Sequence, residues 1–278
     1  MRAQFIAVGE TRTRVLSAGE GPSLLLLHPI GHSADVFIRN IEALATRFHV
    51  IAPDLPGHGF SDRLDFKGKP PQQATAQHLC SLMTELDCAQ FAVLGSSYGG
   101  LIAALMALDT PERVKRLCIV GSASTFGQDE DQATVLHAVK ENVSRAMRAA
   151  TLAACRERLG NILYDRSRVA EEILPLQLTC YAFPDRLAAF LDTMDALITS
   201  AQAHQGRIHD RLEHIRQPAL VIVGRNDTRA DWRTHERGAQ RMANARCLVF
   251  DECGHLPQME HPARFNSALL DFIPDEDA

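Results

Sequence analysis

The sequence predicts an α/β protein, a mostly parallel, doubly wound sheet interrupted once by an inserted helical cap. Three observations predict it. The first is a set of apolar runs too short for helices and too continuous for half-exposed strands: Ser23 to Leu27, His49 to Ala52, Phe91 to Leu94, Leu117 to Val120, Leu220 to Val223 and Arg246 to Phe250. Runs of this kind are buried on both faces, as in a parallel sheet. The second is alternation, because helical patterns at Ala34 to Thr46, Thr75 to Leu86, Tyr98 to Leu108, Trp232 to Met242 and Pro262 to Phe272 lie between or after the strands. The third is the single break in that rhythm, from about Gly121 to Ile215, where amphipathic helices follow one another at Asp131 to Ala149, Leu152 to Leu159, Asp185 to Ser200 and Arg207 to Ile215. The expected organisation is therefore a core of residues 1–121 and 216–278 with a helical cap over 122–215. Two strands, Phe5 to Val8 and Thr13 to Ala18, precede the parallel set and read as a hairpin edge.

Size and composition bound the function. A chain of 278 residues with 46% hydrophobic and 23% charged residues can bury a large core. No apolar run approaches the roughly 20 residues of a membrane span. The start, Met1-Arg2-Ala3-Gln4-Phe5, lacks the apolar segment of a signal peptide, so a cytoplasmic protein is expected. A net charge of −5 with scattered basic residues offers no footprint for nucleic acid. The acidic tail Asp275 to Asp277 reads as solvated. Seven cysteines without C-x-x-C spacing fit reduced, buried thiols, and Cys253 is open to two readings, packing or a reactive thiol. No His/Asp/Glu set has metal-ligand spacing, and neither a metal nor a cofactor is expected. A small-molecule substrate is the expected partner, and a homo-oligomer stays open.

The segment Gly95-Ser96-Ser97-Tyr98-Gly99 joins the Phe91 to Leu94 strand directly to a helix. A hydroxyl at so sharp a turn points out of the sheet, and the turn is tight enough to require glycine on either side. The Tyr98 amide then lies at a helix N-terminus, where free N–H groups can stabilise an oxyanion. Ser97 is the candidate nucleophile. Alone the pentapeptide is a weak signal, since small-residue turns need no chemistry.

Ligands of such sheets bind beyond the strand C-termini, so the strand ends carry the next candidates. Gly224-Arg225-Asn226-Asp227 follows one run and Asp251-Glu252-Cys253-Gly254-His255 another. Asp227 is equally good turn chemistry. His255 is preferred over His261, which precedes Pro262 and reads as a helix start.

Taken together, Leu27-His28-Pro29-Ile30-Gly31, Asp54 to Asp62, Gly95 to Gly99, Gly224 to Asp227 and Gly254-His255-Leu256-Pro257 resemble the α/β-hydrolase superfamily over essentially the whole chain. The resemblance implies an α/β-hydrolase fold, Ser97 as nucleophile, His255 as general base and acid, and Asp227 as the carboxylate behind the imidazole. It also implies an oxyanion hole from the Ile30 and Tyr98 amides. The chain departs from the usual His-Gly-x loop at Pro29, which has no N–H. Asp54 to Asp62 reads as a structural turn. The expected reaction is hydrolysis of an ester, thioester or lactone of a small to medium apolar substrate through an acyl-enzyme. Carbon–carbon bond hydrolysis of vinylogous diketones is the alternative, disfavoured by the missing glycine-rich oxyanion loop, and a ligand sensor with an intact triad is another. Phe126, just past a strand end, either lines the substrate pocket or packs the cap.

Overall fold

The computed structural model describes residues 1–127 and 129–274, with side chains from residue 132 onward in the helix that begins at Asp129. The acidic tail, Asp275 to Asp277, lies outside the described residues. Among the described residues, eight strands form one sheet in the order β1-β2-β4-β3-β5-β6-β7-β8. They are β1 (Arg2–Val8), β2 (Thr11–Ala18), β3 (Ser23–Leu27), β4 (His49–Pro53), β5 (Phe91–Ser96), β6 (Val114–Val120), β7 (Ala219–Gly224) and β8 (Ala245–Phe250). β1 and β2 are antiparallel to their neighbours, and the rest are parallel.

The apolar runs dictate this arrangement. Leu24 to Leu27 are wholly buried, as is every residue of β5 and β7, because helices cover both faces of the parallel strands. β1 is largely exposed and persists by pairing, from Arg2 opposite Ser17 to Val8 opposite Thr11, so it begins three residues before the predicted start.

The helices are α1 (Ile38–Leu44), α2 (Pro71–Glu85), α3 (Tyr98–Asp109), α4 (Ala123–Phe126), α5 (Asp129–Ala149), α6 (Leu152–Gly160), α7 (Leu174–Ala182), α8 (Arg186–Gln202), α9 (Trp232–Arg241), α10 (Pro257–Glu260) and α11 (Pro262–Phe272). α2 starts at Pro71, whose missing N–H costs nothing in a first turn. The predicted helix from Ala34 divides into a 3-10 turn, Ala34–Phe37, and α1. The predicted helix at Arg207 to Ile215 is a 3-10 turn, His209–His214. α7 escapes the sequence pattern because Leu174, Pro175, Leu176 and Leu178 surround its axis and leave no polar face to set a period.

α4 to α8 lie between β6 and β7 and form the cap over the C-terminal ends of the strands. α5 packs on α8, and Val139 and Val143 of α5 and Phe190 and Met194 of α8 belong to the buried core. Among the described residues, no helix is long and apolar enough to cross a membrane.

Candidate active site

The β5–α3 turn holds Ser97 at φ 54° and ψ −114°, a conformation strained for any residue with a side chain. Two glycines make it possible. A Cβ on Gly95 would lie 2.0 Å from the Gly99 carbonyl oxygen, and one on Gly99 would lie 2.3 Å from the Leu27 carbonyl oxygen. The turn is tied to β6, where Ser97 N–H donates to Val120 O at 2.7 Å and Ser122 Oγ donates to Ser97 O at 2.7 Å. The Ser97 side chain lines a cavity beneath the cap together with Ile30, Tyr98 and His255. Tyr98 opens α3, so its amide has no partner in the preceding turn.

Asp227 sits in the loop after β7 with its carboxylate fully buried. Its Oδ1 accepts the Arg229 and Ala230 amides at 2.8 and 3.1 Å, and its Oδ2 contacts His255 Nδ1 at 2.7 Å. One oxygen of Asp227 thus builds the turn while the other meets the His255 imidazole. A carboxylate can only accept, so Nδ1 carries the proton and Nε2 is the acceptor of the neutral ring. A neutral imidazole in this tautomer can take a proton from a hydroxyl in the cavity. His261 is elsewhere, beside Arg168 and the Glu252 carbonyl.

The His255 loop is fastened to the cap. His255 N–H donates to Ile162 O at 2.8 Å, and the buried Glu260 carboxylate accepts Gly254 N–H at 2.7 Å and Tyr164 N–H at 2.8 Å. A Cβ on Gly254 would sit 2.6 Å from both Ile162 O and Tyr164 N. Burial pushes the Cys253 thiol up, with the neighbouring Glu260 adding to the shift, which favours packing over reactivity.

The β3 loop carries the proline departure. His28 Nδ1–H donates to Pro29 O at 2.8 Å while Nε2 accepts Leu55 N–H at 2.8 Å, so the ring is neutral and pins this loop to the Asp54 to Asp62 turn. Burial lowers its pKa to about 3. In that turn Asp54 accepts the Ala34 and Phe60 amides and faces Arg14 at 3.2 Å, a structural role. The cap grips the loop from the other side: Arg158 Nη2–H donates to Ile30 O at 3.3 Å and Tyr181 O–H donates to Gly31 O at 3.0 Å.

Phe126 is not among the residues that line the Ser97 cavity; it lines the adjoining cavity instead. α4 is a single turn that aims Ala123 and Ser124 at the cavity and rolls Phe126 under α9, with its ring 4.8 Å from that of His235 and in contact with Gly238. The apolar wall instead comes from Leu101, Val135, Leu136, Val139, Met194 and Leu197. Arg229 also lines the cavity and was missed in the sequence, although it stands two residues beyond the acid at a strand end. Arg158, Tyr181 and Glu260 carry no sequence signal, since their partners come from distant loops. Among the described residues no His/Cys/Asp/Glu cluster is arranged to hold a metal ion.

Comparison with known proteins adds three findings. The family model of the alpha/beta hydrolase fold matches residues 22–262. The chain is 32% identical over 272 residues to a 2-hydroxy-6-oxononadienedioate/2-hydroxy-6-oxononatrienedioate hydrolase of Paraburkholderia phymatum, covering 95% of this chain and 91% of that protein. It is 28% identical to a 2-hydroxymuconate semialdehyde hydrolase of a Pseudomonas species, covering 99% and 94%. Among solved structures, a meta-cleavage product hydrolase from Pseudomonas fluorescens superposes with a TM-score of 0.82 at 27% identity, covering 98% of this chain and 97% of that one. An enzyme that degrades N-acyl homoserine lactones superposes at 0.75 with 25% identity, covering 97% and 100%.

Proposed function

The chain belongs to the alpha/beta hydrolase fold family, as a hydrolase with serine-type catalysis, and from that premise we propose that it cleaves a carbon–carbon bond beside a ketone in a 2-hydroxy-6-oxo-dienoate. The observation that carries the reading is the likeness along nearly the whole chain to hydrolases of that substrate class. It moves the expectation from esters to the carbon–carbon alternative.

The proposed roles follow from the geometry. Ser97 Oγ adds to the 6-oxo carbon as its proton passes to His255 Nε2, and Asp227 stabilises the imidazolium. The oxyanion faces the Ile30 and Tyr98 amides. Carbon is a poor leaving group, but tautomerisation of the 2-hydroxydiene to its 2-oxo form provides an electron sink conjugated with the departing C5. Tautomerisation has already placed a second hydrogen on C5. When the bond between C5 and C6 breaks, its electron pair therefore runs through the conjugated chain to the 2-oxo oxygen, which takes up the proton held by the imidazolium. Water then releases the acyl group from Ser97. One water is consumed, and the products are a carboxylic acid and 2-hydroxypenta-2,4-dienoate.

Pro29 supports a second reading, because it replaces the glycine of a more open oxyanion loop and the lactone-degrading neighbour shares the fold over the full chain. The test measures loss of the dienolate absorbance on 2-hydroxy-6-oxohexa-2,4-dienoates, beside hydrolysis of short-chain esters and lactones. The expected result is turnover of the dienoates with formation of 2-hydroxypentadienoate. Turnover of esters or lactones alone overturns it, and turnover of neither class points to the sensor reading.

A further inference from the structure

Two guanidinium groups lie beside the candidate site without an acidic partner. Arg158, on α6 of the cap, is 3% exposed; it spends one N–H on Ile30 O, and its Nε and Nη1 have no partner among the described residues. Arg229 is half-buried in the loop after β7, and its side chain lines the cavity that holds Ser97 and His255. Only its backbone amide engages Asp227, whose Oδ2 is committed to His255.

Charge counting then favours an anion. No Asp or Glu stands among the described residues that line the Ser97 cavity. Burial, reinforced by repulsion from Arg158 and partly offset by attraction to Asp227, holds Arg229 down at about 10, so it is a half-buried cation whose guanidinium makes no ion pair among the described residues. Arg229 also lines a second cavity that shares Ala123, Ser124, Gln132 and Val135 with the first, which places it at their junction. Asp231, which lines that second cavity, is occupied by Thr234 and Arg233. A planar guanidinium in such a setting matches a carboxylate with two parallel N–H donors.

We propose that Arg229 is an anion-binding subsite of the Ser97 cavity that receives a carboxylate of the substrate. The inference rests on the dienoate reading for its substrate class, but its test does not depend on turnover. Arg229 takes the carboxylate through charge-assisted hydrogen bonds and so selects acids over their neutral analogues.

The test is equilibrium binding of 2,4-hexadienoate and of 2,4-hexadienamide, which lack the 6-oxo carbon and cannot react, to the full chain. The expected result is that the acid binds about 10- to 100-fold more tightly than the amide. Arg229→Met should abolish that preference and leave amide binding unchanged, while Arg229→Lys should restore part of it. Equal binding of acid and amide to the unsubstituted protein overturns the proposal, as does an acid preference that survives in a folded Arg229→Met. If Arg229→Met does not fold, the acid-over-amide ratio and the Arg229→Lys variant decide. An Arg229-dependent acid preference without carbon–carbon turnover would defeat the proposed function and leave this subsite standing; turnover without the preference would do the reverse.

Discussion

Replacing Asp227 with Asn changes one atom at the centre of the proposed mechanism. Oδ1 accepts two amides, from Arg229 and Ala230, so the carboxamide oxygen of the variant must remain on that side. The new NH2 group is forced to face His255 Nδ1, which lies 2.7 Å from the present Oδ2. Two donors cannot share that distance, and the ring relieves the conflict by moving its proton to Nε2. Nε2 then carries the hydrogen and can no longer take one from the proposed nucleophile. Loss of the correct tautomer, together with the missing negative charge, is worth about four decades in kcat, or ~5 kcal/mol. The assay is steady-state turnover of the dienoate and of an activated ester, beside thermal melting to show that the two turn hydrogen bonds still hold the fold. A folded Asp227→Asn protein with a rate within about tenfold of the original would refute the assignment.

Three further outcomes test the frame around the site. Gly95→Ala puts a methyl group 2.0 Å from Gly99 O and 2.5 Å from Gly100 N, both backbone, so urea unfolding should register a loss of about 3 kcal/mol or more, with most activity gone. Phe126→Ala empties a buried site beside His235, and should lower stability by about 3–5 kcal/mol while leaving the KM of the folded enzyme unchanged; a shift in KM without destabilisation would return Phe126 to the substrate pocket. His78 is buried against Thr13 Oγ1, and burial lowers its pKa from 6.5 to about 4. The unfolded chain therefore binds a proton that the native state refuses between these values, so stability is full above about pH 6.5 and falls as pH drops towards 4. His78→Gln should remove about 1.4 kcal/mol per pH unit from that slope in urea unfolding measured from pH 4 to 6.5, and an unaltered slope would show that His78 titrates normally.

What the sequence made legible was local. The elbow could be read because its requirement is steric and falls on neighbouring residues: Gly95 and Gly99 are the positions where a Cβ would strike backbone. Asp227 and His255 could be read because parallel strands deliver their following loops to one edge of the sheet. Phe126 could not be placed, because which way a single helical turn faces depends on α9, more than a hundred residues later. α7 was missed because its apolar residues surround the axis. Arg229 lay within reach of the strand-end rule, yet an unpaired charge becomes visible only when the acids that fail to meet it are located. The substrate was the least legible feature: Pro29 argued against carbon–carbon hydrolysis, whereas the relatives argue for it.

The cap is more than a roof over the pocket. Through Ile162 O and the Glu260 bridge to Tyr164 it holds the His255 loop, and through Arg158 and Tyr181 it holds the carbonyls of Ile30 and Gly31. The two sets of contacts hold the His255 loop and the Ile30–Gly31 loop, while Ser97 itself is tied to the sheet through Val120. Pro29 gives this arrangement a physical reason. A loop with one fewer N–H has fewer ways to tie itself down, and the donors that secure its carbonyls come from Arg158 and Tyr181, about 130 and 150 positions further along the chain. In the proposed mechanism, cap residues that never touch substrate therefore act on the alignment of base, nucleophile and oxyanion donors. Their replacement should lower kcat, while replacement of the apolar wall on α5 and α8 should raise KM.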